Sequence, residues 1–159
     1  MKVVLDIETD QLDASVVNCI VAKNIDTNVF TVFDPSNMHV FKNWSKDIDK
    51  YIMHNGLSFD APVLNRLLGV EIKPSQVTDT LILSQMFNPL REGGHSLGAW
   101  GDRFNFPKGS INSFATYTHE LQKYCQQDVD ITHKLYEHLK KEGQGFSKSS
   151  IDLEHQIRV

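Results

Sequence analysis

Two acidic side chains lie two residues apart near the start of the chain. Asp6 and Glu8 follow a short aliphatic run, so the segment Lys2–Glu8 is predicted to be a strand. Because side chains alternate between the faces of a strand, both carboxylates would project from one face and Ile7 from the other. A chain with 20 acidic residues among 159 contains such pairs about two or three times by chance. A solvated strand end is therefore an equally good interpretation of this pair alone.

A third carboxylate, Asp60, stands at the predicted start of a helix. The segment Tyr51–His54 is typical of a short buried strand, and apolar residues recur at helical spacing from about Phe59 to Leu68. Asp60 could simply be favoured there by the helix dipole. However, the loop HNGLSFD places Asn55 and Asp60 at the carboxyl end of the strand, where α/β sheets usually bind ligands.

A fourth carboxylate, Asp128, interrupts the apolar stripe of a long predicted helix. Leu121, Asp128 and Leu135 follow one another at intervals of seven residues, within a helix predicted from about Thr118 to Lys141. A charge on such a stripe is costly unless it is paired or bound to a metal. Tyr124 lies four residues before Asp128, on the same face. The alternative to a metal ligand is an ion pair of Asp128 with a nearby arginine, or a bond to the backbone.

Together these carboxylates have the chemistry of a site for hard cations. Sites made only of oxygen ligands suit Mg²⁺ or Mn²⁺. Two such ions, about 3.5–4 Å apart, can activate a water on one side of a phosphodiester and stabilise the leaving oxygen on the other. The ions would also convert an acidic pocket into a phosphate-binding one. The pattern therefore predicts two-metal phosphodiester hydrolysis.

The elements that must position these residues follow an α/β order. Three strands are predicted first, at residues 2–8, 16–25 and 28–33, as an antiparallel meander. Strands and helices then alternate, with short helices over about 43–49 and 96–100 and a helix capped by Asp79. The order predicts an α/β fold in which a mixed sheet, an antiparallel meander plus parallel strands, is flanked by helices.

Composition excludes several classes of protein. The chain is 159 residues long, with 40% hydrophobic residues and a formal net charge of −4, which is typical of one soluble globular domain. An acidic chain cannot bind nucleic acid by bulk electrostatics, so it would need a local groove or bound cations. Two cysteines are too few for a disulfide framework. With no signal peptide and no membrane span, a cytoplasmic location is expected.

Three motifs resemble those of a known family. DIETD, HNGLSFD and YCQQD are similar to the three exonuclease motifs of the DnaQ-like, or DEDD, 3′–5′ exonucleases, and the Tyr-x-x-x-Asp form of the third is that of the tyrosine subclass. The stretches TDTLILSQ, GGHSLGAWGDRF and YCQQDVDITHKLYEHL are similar to parts of the proofreading domain of family A DNA polymerases from short-tailed phages. The resemblance spans nearly the whole chain and implies a ribonuclease H-like fold.

The resemblance also implies a domain organisation. Residues 1–142 would be the exonuclease domain, and residues 143–159 a linker and the start of a helix that leads into a polymerase domain. The segment IDLEHQIRV is similar to that connection. A polymerase, in cis or in trans, is therefore an expected partner, and the location would be the host cytoplasm if the protein is phage-encoded.

The resemblance assigns a role to each catalytic residue. Asp6, Glu8, Asp60 and Asp128 would be the ligands of two ions, Mg²⁺ or Mn²⁺, and Asp6 would bridge both. Tyr124 would orient the attacking water. All four carboxylates and the tyrosine are present, which argues against a catalytically decayed domain.

The same resemblance implies three substrate-binding residues. Leu12 would pack against the terminal base and separate it from its neighbour, and Asn55 would contact the nucleic-acid backbone. Phe59 is the third residue that is expected to bind the substrate.

Other aromatic and basic residues could assist binding. Phe104, Phe106 and Phe114 could stack on single-stranded bases or belong to the core, and Lys123 and Lys134 are expected near the site, where they could contact phosphates or remain solvated.

The expected activity is metal-dependent 3′–5′ exodeoxyribonuclease activity. The enzyme would release nucleoside monophosphates from the 3′ ends of single-stranded or frayed DNA, as a proofreading module in DNA replication. Two alternatives stay open: an RNase D-like 3′ exoribonuclease, which shares the motifs, and a catalytically decayed domain that only binds nucleic acid or acts as a scaffold.

Overall fold

The computed structural model describes every residue from Met1 to Val159. A five-stranded sheet forms its centre. The strands, in chain order, are β1 (Lys2–Thr9), β2 (Val17–Asn24), β3 (Phe30–Phe33), β4 (Lys50–Met53) and β5 (Val77–Asp79). Their order in the sheet is β3-β2-β1-β4-β5. The first three are antiparallel, whereas β4 pairs with β1 and β5 pairs with β4 in parallel. The predicted mixed sheet is confirmed.

Six helices surround the sheet. They are α1 (Phe41–Trp44), α2 (Asp60–Leu68), α3 (Thr80–Phe87), α4 (Leu97–Arg103), α5 (His119–Glu142) and α6 (Lys148–Ile157). None of them combines the length and the apolar character needed to cross a membrane. The short helix predicted over 43–49 is instead a series of single helical turns over 38–47.

Strand β5 is the one strand that the sequence pattern did not predict. It has only three residues, Val77–Asp79, which is too few for a recognisable alternation of apolar and polar side chains. The strand exists because Tyr51, Ile52 and Met53 of β4 pair with it in parallel register. Its last residue, Asp79, caps α3 by accepting a hydrogen bond from the backbone N–H of Leu81, as predicted.

The two faces of β1 have different neighbours. Val3, Leu5 and Ile7 belong to the hydrophobic core that also contains residues of α2. Val4, on the opposite face, belongs to a second cluster with Leu121 of α5. Because Asp6 and Glu8 alternate in phase with Val4, the sheet directs them toward α5.

Helix α5 lies across β1 and β2 with its apolar stripe inward. Leu121 and Leu135 have no exposed surface, and Asp128 is 4% exposed. The predicted stripe is therefore a buried one, and the carboxylate of Asp128 is placed inside the molecule opposite the acidic face of β1.

Candidate active site

The four predicted carboxylates converge on one place between the sheet and two helices. Asp6 and Glu8 come from β1, Asp60 is the first residue of α2, and Asp128 comes from the middle of α5. In addition to burial, the charges of Asp128 and Glu8 raise the pKa of Asp6, and the charge of Asp6 raises the pKa of Asp60. Such mutual effects require short distances between the groups. Residues more than a hundred positions apart therefore form one acidic cluster.

Two oxygens of this cluster have no hydrogen-bond partner. They are Oδ2 of Asp60 and Oδ1 of Asp128, and both residues are buried, at 5% and 4% exposed. A buried carboxylate oxygen without a donor is costly, so nearly all such atoms in proteins are paired. A bound cation would supply the kind of partner that each of these oxygens lacks.

Burial dominates the electrostatics of the cluster. It raises the pKa of Asp6 and of Asp60 well above the usual value for aspartate. Burial, together with the charge of Asp128, raises the pKa of Glu8 from 4.5 to about 8. Burial also raises the pKa of Asp128 from 3.8 to about 6, although Lys108 opposes the shift. The ionised cluster is therefore unfavourable without a cation, and its oxygen-only carboxylates fit a hard divalent ion.

This arrangement makes the stability of the metal-free protein depend on pH. Because the pKa of Glu8 is raised to about 8, the folded protein holds this proton more tightly than the unfolded chain. The titration of Glu8 alone should therefore lower the free energy of unfolding by about 2 kcal/mol between pH of about 6.5 and about 9. His54, whose pKa burial lowers from 6.5 to about 4, opposes this trend by only about 0.4 kcal/mol, because half of the unfolded histidine has already lost its proton at a pH of about 6.5.

The measurement is urea denaturation with a chelator present, across that pH range. Saturating Mg²⁺ should flatten the dependence, and Glu8→Gln should reduce it without any metal. A metal-free protein that becomes more stable as the pH rises would contradict the electrostatic description of the cluster.

A cation that the sequence pattern did not assign to the acidic cluster lies beside it. The Nζ of Lys108 is 3.4 Å from Oδ2 of Asp128 and 5.2 Å from the centre of the Tyr124 ring. Burial lowers the pKa of Lys108, but Asp128, Tyr124 and Asp6 together outweigh that effect and raise it. The side chain is 32% exposed, so this ammonium group remains charged and can reach both the cluster and solvent.

The loop that carries Lys108 is held against two helices. A Cβ on Gly101 of α4 would lie 2.9 Å from the carbonyl oxygen of Phe106, so only glycine permits this approach. On the other side, Nε2 of Gln127 donates to the carbonyl oxygen of Pro107 at 3.0 Å. No periodic signal marks this irregular segment, which explains why the lysine could not be found from the sequence.

Tyr124 borders the acidic cluster on α5. Its ring meets Phe114 edge to face, with centroids 5.5 Å apart. Burial raises the pKa of Tyr124 despite the opposing effect of Lys108, so the side chain is a neutral phenol at neutral pH. It can donate one hydrogen bond and accept another.

Asp79 organises the turn that precedes Asp60. Beyond capping α3, its carboxylate accepts hydrogen bonds from the backbone N–H groups of Asn55, at 2.9 Å, and Leu57, at 3.2 Å. Asn55 has a φ of +63°, a left-handed conformation that asparagine tolerates better than most residues. Its side chain is exposed, and Phe59 is half-buried against the core. The turn is therefore rigid where the predicted substrate contacts begin.

Leu12 lies on a braced loop between β1 and β2. It is 91% exposed. The carboxylate of Asp10 accepts from the backbone N–H of Ser15 and of Val16, and Nη2 of Arg66 donates to the carbonyl oxygen of Ala14 at 2.7 Å. The loop thus fixes an apolar side chain that contributes little to the core.

Several residues expected near the site lie elsewhere. Phe104 stacks on Trp100 in the core, with centroids 5.6 Å apart. Lys134 lies over the ring of Phe106 at 5.2 Å, in a separate cavity of about 650 Å³ on the outer side of α5. Lys134 follows Asp128 by six residues, which is less than two full helical turns. The two side chains therefore lie on different faces of α5. Lys123, by contrast, does lie beside the site, since it is exposed and lines a small groove with Tyr124.

A family model described as 3′–5′ exonuclease matches residues 2–144 of the chain. The match includes all four carboxylates and Tyr124. No curated protein sequence matches the chain.

Three solved structures illustrate the fold. Brucella melitensis NrnC with bound Mg²⁺ has a TM-score of 0.74 and 19% identity, covering 98% of this chain and 84% of that one. The family B DNA polymerase of Pyrobaculum calidifontis has a TM-score of 0.66 and 20% identity, over 87% of this chain and 24% of the polymerase. Exonuclease X in complex with 5′ overhanging duplex DNA has a TM-score of 0.57 and 17% identity, over 98% and 99% of the two chains.

Proposed function

The chain belongs to the 3′–5′ exonuclease family, and we propose that it removes nucleoside monophosphates from the 3′ end of single-stranded or frayed DNA. We further propose that it uses two divalent ions, Mg²⁺ or Mn²⁺, and belongs to the tyrosine subclass. The buried, unpartnered oxygens of Asp60 and Asp128 are the observation that carries this proposal. A bound cation would supply the partner that these negatively charged atoms lack.

Each side chain of the site has a role in the proposed reaction. Asp6, Glu8, Asp60 and Asp128 hold the ions. When bound, the ions lower the pKa of a water and stabilise charge on the leaving oxygen. The Tyr124 phenol, neutral at the pH of the reaction, orients the attacking water through a hydrogen bond.

Three further groups bind the substrate in this proposal. Lys108 contacts the phosphate backbone, since its ammonium group is charged, partly exposed and adjacent to Asp128. Leu12, exposed on its braced loop, packs against the terminal base. Phe114, which meets the Tyr124 ring edge to face, offers a second apolar surface for a base.

A digestion of matched oligonucleotides tests the function. Single-stranded DNA and RNA of the same sequence, labelled at the 5′ end, should be compared with excess Mg²⁺ and with a chelator. We expect stepwise shortening of the DNA, release of mononucleotides, and no product with chelator. Faster cleavage of RNA would favour the RNase D-like alternative, because contacts to the 2′-OH decide the choice of sugar. Folded protein without activity on either would indicate a binding domain.

A polymerase partner is part of the same proposal. The fold occurs within a family B DNA polymerase, of which this chain corresponds to 24%, and a proofreading nuclease needs a polymerase to supply mismatched ends. Copurification or cross-linking with a polymerase from the same source, followed by a mismatch-excision assay, tests this point.

Changing Tyr124 to phenylalanine should slow turnover roughly 10- to 100-fold, with affinity for Mn²⁺ nearly unchanged. The substitution removes only the hydroxyl and retains the ring that contacts Phe114. Single-turnover kinetics and calorimetry check the two expectations. Tyr117→Phe is the matched control, because its hydroxyl donates to Gln122 at 2.5 Å outside the acidic cluster. An equal loss of metal affinity in Tyr124→Phe would mean that the phenol acts structurally.

Changing Leu12 to alanine should slow cleavage of single-stranded DNA by about 10-fold without loss of stability, since contacts with a base are worth about 1–3 kcal/mol. The side chain is 91% exposed, and Leu90, at 93%, provides a control of equal exposure. Cleavage rates and melting temperatures of both alanine variants should be compared. If Leu12→Ala and Leu90→Ala cleave at the same rate, Leu12 does not touch the substrate.

A further inference from the structure

Hydrolysis leaves one side chain of the acidic cluster without a role, the thiol of Cys125. It follows Tyr124 on α5 and has no exposed surface. Its Sγ lies 3.4 Å from the backbone oxygen of Asp6 and 3.5 Å from Oδ2 of the same residue. One ligand atom from each of Asp6, Glu8 and Cys125 lies within 4.8 Å of the others. The thiol of Cys125, a soft ligand, thus lies beside the carboxylates of Asp6 and Glu8, which are hard ligands.

The spacing of these atoms suits a tetrahedral ion. With Zn–S of about 2.3 Å and Zn–O of about 2.0 Å, the sulfur and oxygen ligands of a tetrahedral site are about 3.5 Å apart. The separation of Cys125 Sγ from Asp6 Oδ2 is 3.5 Å. Little movement of either side chain would therefore be needed to bind such an ion.

An independent observation shows that the negative charge of this region is not fully paired. Oδ2 of Asp60 and Oδ1 of Asp128 are buried and have no hydrogen-bond partner, even though the ammonium group of Lys108 lies 3.4 Å from the other oxygen of Asp128. Carboxylates attract hard and borderline cations alike. The thiol distinguishes between them, because thiolates select zinc-class ions over Mg²⁺ and Mn²⁺.

We propose that Asp6, Glu8 and Cys125 form a binding site for a thiophilic divalent ion, Zn²⁺ or Cd²⁺, that competes with the hard ion for the same carboxylates. On binding, the S–H bond breaks, its proton passes to solvent, and the sulfur electron pair forms the bond to the ion, with no change of oxidation state. An ion held in this way engages Asp6 and Glu8, so zinc-class ions inhibit the nuclease even when Mg²⁺ is in excess.

Titration of the metal-free protein with Cd²⁺ tests the site without any nuclease assay. Cadmium bound to a thiolate gives a sulfur-to-metal charge-transfer absorption in the ultraviolet, which carboxylates do not give. We expect a saturable signal at one ion per chain that excess Mg²⁺ removes only at far higher concentration. Cys125→Ser should abolish the signal and weaken Cd²⁺ binding by at least roughly 10-fold, while Mn²⁺ binding, which needs only oxygen ligands, remains.

The second cysteine supplies the control. Cys19 is equally buried in the same cluster and is paired with Glu8 in the sheet, but it is not one of the three converging ligands. Cys19→Ser should retain the full signal. Cys125→Ala repeats the test in case a buried hydroxyl disturbs folding, and the wild-type titration needs no variant at all.

Three results would overturn the proposal: no charge-transfer signal in the wild type, a signal that survives in Cys125→Ser, or a signal lost in Cys19→Ser. Intact Mn²⁺ binding together with any of these would reject the thiolate site alone and leave the proposed nuclease function standing. Absence of binding by Mn²⁺ as well as Cd²⁺ would reject both.

Discussion

Replacing Asp128 with asparagine should reduce nucleotide release by about three orders of magnitude, because the variant loses several kcal/mol of charge stabilisation at the ions. The same variant, free of metal at a pH of about 8, should be at least as stable as the parent. The pKa of Asp128 is raised to about 6 by burial, even with Lys108 beside it. The ionised carboxylate therefore costs about 3 kcal/mol relative to the unfolded chain.

The alternative role for Asp128 predicts the opposite result. Lys108 lies 3.4 Å away, and breaking a buried structural ion pair costs about 3–5 kcal/mol. Urea denaturation with chelator, paired with an oligonucleotide assay in excess Mg²⁺, separates the two. Asp130→Asn is the control: this residue follows on the same helix and pairs with Lys23 at 3.1 Å, outside the cluster. A markedly unstable Asp128→Asn that stays active per folded molecule would contradict the metal-ligand role.

Replacing Lys108 with methionine should lower the rate at saturating Mg²⁺ by about 100-fold, the typical effect of losing one electrostatic donor at a reacting group. Methionine retains much of the apolar stem that crosses the Tyr124 ring but removes the charge. The metal-free protein should also become less stable, because the cluster loses the cation that opposes its repulsion.

The two effects of Lys108 can be measured separately. If the lysine only neutralises carboxylates, saturating Mg²⁺ should restore full activity to Lys108→Met. If it contacts the phosphate, the rate stays low with Mg²⁺, and Lys108→Arg recovers part of it. Lys123→Met, an exposed lysine beside Tyr124, should cleave at nearly the parental rate. Full activity of Lys108→Met would remove this residue from the proposed site.

Much of the fold could be predicted because most of its elements carry a local signal. The apolar spacing of α5 extends over several helical turns, and the aliphatic run of β1 ends in polar residues, as expected for a strand. Gly69 ends α2 in the left-handed conformation, with a φ of +65°. Glycine adopts this conformation readily because it has no Cβ. Strand β5 and the single turns around α1 are too short to show a repeating pattern of apolar side chains. Their structure therefore depends on the neighbours with which they pair or pack.

The sequence by itself determined which carboxylates could meet. Period-two geometry puts Asp6 and Glu8 on one face of β1, and intervals of seven put Asp128 on the buried stripe of α5, because both rules act within one element. Helical spacing likewise places Cys125 three residues before Asp128, on a neighbouring position of the same helix.

Only the tertiary structure decided what surrounds those carboxylates. Lys108 reaches Asp128 from an irregular loop, and the sulfur of Cys125 meets Asp6 across the interface between α5 and the sheet. Such contacts depend on how distant segments pack, and an irregular loop has no repeating pattern from which to predict its path. The raised pKa values have the same origin, since desolvation arises when α5 covers the acidic face of β1 and buries charges that the unfolded chain leaves in water.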